Sequence, residues 1–290
     1  MAFNQPDVLP AAAEAIHRAL AAAPGGRLTP ATLAQRIVPD QDSAGTKVVG
    51  DTLVALRAIG AIVDVDDQVS VRPDTKSKDD AGVMRAIILK SIIDDAQRPE
   101  LWATEEQELN LTGALDLVRS LTWMLLLSVG AAPWSWEGAS SVQQEQADHL
   151  TDAVIRNEER WRPFVRWARY LGFASSLGQY ALVPDPTAAI VRVLRGQLRG
   201  RGFQPITEVV DNLATELPML DRGWLSRAMQ DRYPVRWDSA LSPALTFALI
   251  RLQTAGHISF EEGRGDAEKV GLADGQGAYH GIRWHSEKDR

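Results

Sequence analysis

The stretch that most constrains this chain is Leu53–Pro73, LVALRAIGAIVDVDDQVSVRP. An amphipathic helix end runs into Gly60, and two short apolar runs follow, Ala61–Val65 and Val69–Val71, separated by the polar pair Asp67–Gln68. Glycine tolerates the left-handed conformation that ends many helices. Alternating valines around a polar turn predict a hairpin. The same phrase returns in Phe164–Pro186, around Gly172, and in Ala248–Leu272, around Gly256. The glycines are separated by 112 and then 84 residues, so no fixed-period solenoid is expected.

Helix signals fill the chain between these joints. Asp7 is the expected cap of a helix over Val8–Ala23, with Ala12, Ile16 and Leu20 on one face, and Pro24-Gly25-Gly26 breaks it. Thr29 ahead of Pro30 predicts a second helix through Ile37. Asp42 or Ser43 starts a third, which turns Val48, Val49, Leu53, Leu56 and Ile59 inward. A helical middle region is expected over Asp79–Ala96, Ala114–Val129, Ala139–Asn157 and Glu158–Leu171. The last region predicts helices over Ile206–Leu217, Asp221–Arg232 and Ser242–Ala255, with Asp221 and Ser242 as caps. The expected fold class is mainly α with small β-wings. Its organisation is an N-terminal unit at 1–75, a helical middle with a second hairpin at 76–190, and a C-terminal unit at 191–290.

Ser120–Trp136 holds 17 residues without a charge and includes Gly130 and Pro133. A membrane span needs about 20 apolar residues. The expectation is therefore a buried core helix and no membrane partner. The start, MAFNQPDVLP, has no basic region followed by an apolar stretch, and the chain has no cysteine, which fits a cytoplasmic protein without disulfides.

The net charge of −7 is uneven. Residues 1–155 carry −10, residues 156–201 carry +6 from nine arginines, no lysine and three acids, and residues 202–290 carry −3. An acidic chain with a basic centre does not coat nucleic acid nonspecifically, but it leaves room for a local anion site. The candidate nucleic-acid contacts are Arg160, Arg162, Arg166 and Arg169, interleaved with Trp161, Phe164, Trp167 and Tyr170, and then Arg192, Arg195, Arg199 and Arg201. Aromatics at a spacing of three form one helical stripe, which reads as core with a solvated arginine face. The functional alternative is an arginine ridge with a ring free for base stacking. The first unit is a poor DNA reader, since Lys47 is the only cation near the start of its third helix and its hairpin carries Asp64, Asp66 and Asp67.

Catalytic motifs are missing. Gly45-Thr46-Lys47 lacks the earlier glycine of a phosphate loop, and no Gly-x-Ser-x-Gly elbow occurs. Asp74-Thr75-Lys76, with Asp40 upstream, is a distant echo of a metal-dependent nuclease strand, interrupted by Pro73 and set in a polar linker. His257, His280 and His285 sit around the third hairpin without metal-ligand spacing. No cofactor, metal or catalytic residue is expected, and the chain reads as non-enzymatic.

The tandem helix–glycine–wing pattern resembles the winged-helix superfamily, with two or three such units joined by the helical middle. Leu9–Leu20, LPAAAEAIHRAL, and Arg160–Phe173, RWRPFVRWARYLGF, resemble the DpdG proteins. These are encoded with bacterial clusters that insert deazaguanines into DNA and restrict unmodified phage DNA. The resemblance carries over no functional residue. It implies an accessory scaffold or DNA-contacting subunit of a modification and restriction system, partnered by double-stranded DNA, by other subunits or by a second copy. Two alternatives stay open: a protein-binding winged-helix adaptor of the kleisin-like kind, and a transcriptional regulator.

Overall fold

The computed structural model describes residues 3, 5–40, 42–72, 82–97, 114–127, 129, 134–146, 153–197, 202–233, 240–263 and 268–285. The chain is mainly helical with small antiparallel sheets. It opens with α1 (Pro10–Ala21), β1 (Arg27–Leu28), α2 (Pro30–Ile37), α3 (Ser43–Ala58) and the hairpin β2 (Ile62–Val65) and β3 (Gln68–Val71). Helices α4 (Val83–Ala96), α5 (Leu115–Leu125), α6 (Trp136–Gln146) and α7 (Glu158–Leu171) follow, then the hairpin β4 (Ala174–Ser176) and β5 (Leu182–Pro184). The last part runs α8 (Thr187–Gln197), β6 (Phe203–Pro205), α9 (Ile206–Glu216), α10 (Trp224–Arg232) and α11 (Pro243–Thr254). It ends with strands β7 (Ile258–Glu261), β8 (Val270–Gly271), β9 (Ala278–Tyr279) and β10 (Gly281–Trp284).

Two compact units divide the chain. Unit 1 holds Met1–Val118 and Ile155–Leu171; unit 2 holds Arg119–Val154 and Gly172–Arg290. The middle helix–glycine–hairpin phrase is split between them, with α7 in unit 1 and the β4–β5 hairpin in unit 2.

Local chemistry sets most helix ends. Thr29 Oγ1 accepts the Thr32 N–H, Asp42 Oδ2 accepts the Gly45 N–H, and Ser242 Oγ accepts the Leu245 N–H, so three expected caps are in place. Gly60 and Gly256 both lie at φ +70°. At each, the glycine N–H bonds two residues before the cap and the next N–H bonds further back, Ala61 to Leu56 and His257 to Leu252. These paired bonds satisfy carbonyls that the helix leaves open.

Two expected caps are elsewhere. Asp7 does not cap α1, whose N-cap is Leu9 and whose first residue is Pro10; its carboxylate meets Lys47 instead. Asp221 does not start α10, because Arg222 is left-handed at φ +64° and the helix begins after Gly223. The polar helix expected at Ala139–Asn157 is described over Trp136–Gln146, and Asn157 caps α7 by accepting the Arg160 N–H at 3.0 Å.

Unit 1 has a three-stranded sheet in the order β1-β3-β2, with Leu28 opposite Val69 and Ile62 opposite Val71. Its core gathers Ile16, Leu20, Leu33, Leu53, Leu56 and Val69. Helix α7 adds Trp161, Phe164 and Trp167, all buried. Phe3 meets the Trp167 ring edge-on at 4.7 Å, and the indole N–H donates to the Val8 carbonyl at 3.1 Å.

Unit 2 has a second three-stranded sheet in the order β6-β10-β7, with Ile258 opposite Trp284 and Ile282 opposite Phe260. The two sheets share one connectivity. In each, an edge strand follows a helix, a second helix starts directly after that strand, and a third helix ends in a left-handed glycine that opens the hairpin. Unit 2 differs by inserting α10 between its second and third helices. The β4–β5 hairpin pairs instead with Trp134, through Leu182. Helix α5 is buried along its length, and no helix among the described residues is long and apolar enough to cross a membrane.

Candidate nucleic-acid interface

Four of the eight candidate arginines lie on α7 in unit 1. The aromatic residues between them are core: Trp161, Phe164 and Trp167 are at most 1% exposed, so none offers a face to a base. Tyr170 is half-buried, donates to Glu14 Oε1 at 2.5 Å, and lies 4.9 Å beneath the Arg85 guanidinium. Arg162 pairs with Glu158 one turn back, and Arg166 donates to the Pro6 carbonyl at 3.1 Å. Arg160 is half-buried and Arg169 exposed.

Arg192 and Arg195 lie on α8 in unit 2, while Arg199 and Arg201 fall outside the described residues. Arg195 is exposed, and no partner holds its side chain among the described residues. Arg192 runs past Gly172, where an added Cβ would come within 2.9 Å of its guanidinium. Gly172 has φ +86°, so the backbone of the joint itself favours glycine.

The third helices differ from a basic reading helix in two ways. On α3 the exposed residues are Ser43, Ala44, Thr46, Lys47, Gly50 and Val54. Lys47 is held between Asp7 and Asp51, and those carboxylates push its pKa upward. The single cation of that face is therefore already neutralised. On α11 the residues from Pro243 to Thr246 are buried, so this helix start cannot enter a groove. Two residues ahead of α11 are tied down by hydrogen bonds. Asp221 accepts the Ser242 N–H at 2.5 Å and its hydroxyl at 2.6 Å, and Leu241 N–H bonds the Gly271 carbonyl. Burial pushes the Asp221 carboxyl above its usual range, with the Ser242 bonds opposing that shift.

The three histidines of the last hairpin have structural partners. His257 stacks on Trp284 and His280 on Phe203. His285 Nε2 lies 3.0 Å from Ser259 Oγ. Among the described residues, no group of three or more His, Asp or Glu could hold a metal ion. Asp74 and Lys76 lie outside the described residues.

Sequence reasoning missed Arg251. It lies on α11, half-exposed, and its Nη1 bonds both Asp185 and Ser175 within unit 2. Nothing local marked it, because its partners are 66 and 76 residues away.

The family model described as DpdG-like matches residues 1–266. No curated protein and no solved structure matches the chain.

Proposed function

This chain belongs to the DpdG-like family, and from that premise we propose that it is a non-enzymatic accessory subunit of a bacterial DNA-modification and restriction system. The family association with deazaguanine-modification clusters supplies the setting. The two modules with sheet orders β1-β3-β2 and β6-β10-β7 support a winged-helix reading of both units. Duplex DNA is contacted through arginines and not through a helix laid in the major groove. The observation that carries this reading is Arg195, an exposed guanidinium on α8 without a partner among the described residues, within the most basic run in the chain.

A second reading, a protein-binding adaptor, is favoured by one observation in unit 1. Lys47 is neutralised by its own neighbours, and the adjoining hairpin bears Asp66 and Asp67 besides Asp64, which Arg57 meets. That surface repels phosphate and suits a polypeptide partner.

Fluorescence anisotropy with labelled duplex DNA across a salt series separates the two. Phosphate contacts make log affinity fall steeply with log salt, by a slope of about 0.9 for each contact. The variant Arg195→Glu/Arg199→Glu/Arg201→Glu is expected to flatten that slope. Absence of binding by the folded wild type at low salt overturns the DNA-contact reading and leaves the adaptor.

A further inference from the structure

Arg251 is not an ordinary surface arginine. Asp185, its partner, is only 4% exposed, whereas the Arg251 side chain is 49% exposed. The buried carboxylate is fully engaged. Its Oδ1 accepts the Thr187 N–H at 3.2 Å and the Thr187 hydroxyl at 2.5 Å, and its Oδ2 accepts the Ser175 hydroxyl and Arg251 Nη1. Arg251 Nη1 also donates to Ser175 Oγ at 3.3 Å. Both Nη1 hydrogens are thus committed inward. The Phe247 ring lies 5.8 Å from the guanidinium carbon and supports the plane from its own helix.

What remains is the Nε–Nη2 edge. It carries three N–H groups, none with a partner among the described residues. This is the edge that meets two oxygens of a phosphate in a bidentate contact. A free surface arginine must lose side-chain freedom to make that contact. Arg251 is already held by a carboxylate that solvent hardly reaches. Helix α11, which carries it, packs on α8, which carries Arg192 and Arg195.

From this arrangement we infer that Arg251 is a pre-positioned phosphate contact for the nucleic-acid backbone, with Asp185 and Ser175 as its positioning residues. It works beside Arg192 and Arg195 on the packed pair α8 and α11. This inference rests on the DNA-contact reading and assigns it a residue that sequence spacing does not reveal. Asp185 does not cancel the site, because its charge is met by one guanidinium nitrogen and three neutral donors, and it lies behind the arginine.

The test uses the full chain, labelled duplex DNA and a salt series. Arg251→Lys keeps a cation beside Asp185 but loses the fork, and its affinity is expected to fall about tenfold at fixed salt. Arg251→Gln is expected to lower the salt slope by about 0.9 as well. Asp185→Asn leaves the Arg251 charge in place but removes its anionic anchor, so a few-fold loss with an unchanged slope is expected although the local net charge rises by one. Arg18→Gln removes one charge from α1 of unit 1 and is expected to leave binding as it was. If Arg251→Gln does not fold, Arg251→Lys decides. Wild-type affinity and slope in Arg251→Lys, alongside lost binding in the Arg195→Glu/Arg199→Glu/Arg201→Glu variant, overturn the inference and leave the proposed function standing. A wild type that binds no DNA overturns both.

Discussion

Units 1 and 2 each build a three-helix, three-strand module, yet they bury their third helix differently. In unit 1, α3 has one buried face, through Val49, Leu53 and Leu56, and an open face on which Val54 is 62% exposed. In unit 2, α11 is enclosed from Pro243 to Thr246 and surfaces only towards its end, at Arg251, Gln253 and Thr254. The start of α11 is held by Asp221, which accepts from Ser242, and by Thr246 Oγ1, which accepts the Ala273 N–H, while the helix packs on α8 and β7. One connectivity therefore serves two surfaces, an open helix face whose one lysine is met by Asp7 and Asp51, and an arginine set at a helix end. The shared topology specifies a scaffold, and the side chains on it decide what each copy touches.

The largest expected difference between the modules follows from enclosure. Leu249→Ala, in the buried part of α11, should cost about 2–5 kcal/mol, whereas Val54→Ala on the open face of α3 should stay within about 0.5 kcal/mol. Urea unfolding of the two variants measures it, and equal costs would show that the two third helices are equally enclosed. The next effect should be the same in both modules. Gly60 and Gly256 have the same φ of +70° and open space where a Cβ would stand, so alanine brings backbone strain without a clash. Each Gly→Ala variant should lose about 1–2 kcal/mol. Unequal losses in thermal melts would show that the two joints are not equivalent.

The smallest effect is a dependence on pH confined to unit 2. The Asp221 carboxyl is raised in the folded chain, so on acidification the folded state takes up its proton before the unfolded state does. Stability from this group therefore grows as the pH falls from the raised value toward the ordinary aspartate range, and is lost as the pH rises again. Comparing wild type with Asp221→Asn in urea at pH 7 and pH 5, the wild type should gain on the variant at the lower pH. A constant difference would place the carboxyl in water.

Much of unit 1 is legible in the sequence because its signals are local. Thr29-Pro30, Asp42 and Gly60 act within four residues of themselves, and the structure places each where its type predicts. The stripe Trp161, Phe164 and Trp167 is core, as helical spacing implies. Local signals failed where a distant group competed. Asp7 reads as a cap but is drawn to Lys47, 40 residues away, and Asp221 reads as a cap but serves Ser242, 21 residues away. The candidate site follows the same division. Arg195 is visible as part of a basic run, whereas Arg251 becomes a candidate only when its buried carboxylate is seen.

Most of the helices, the three left-handed glycine joints, the core stripe of α7 and the basic centre in an acidic chain are legible in the residues alone. Each depends on covalent geometry, helical period or composition, which short stretches carry whole. Tertiary structure alone decided that α11 is enclosed, that the middle helix and hairpin fall in different units, and that Asp185 holds Arg251. Those outcomes depend on pairs of groups far apart in the chain, and a carboxylate chooses among distant partners only after packing has brought them within reach and excluded water between them.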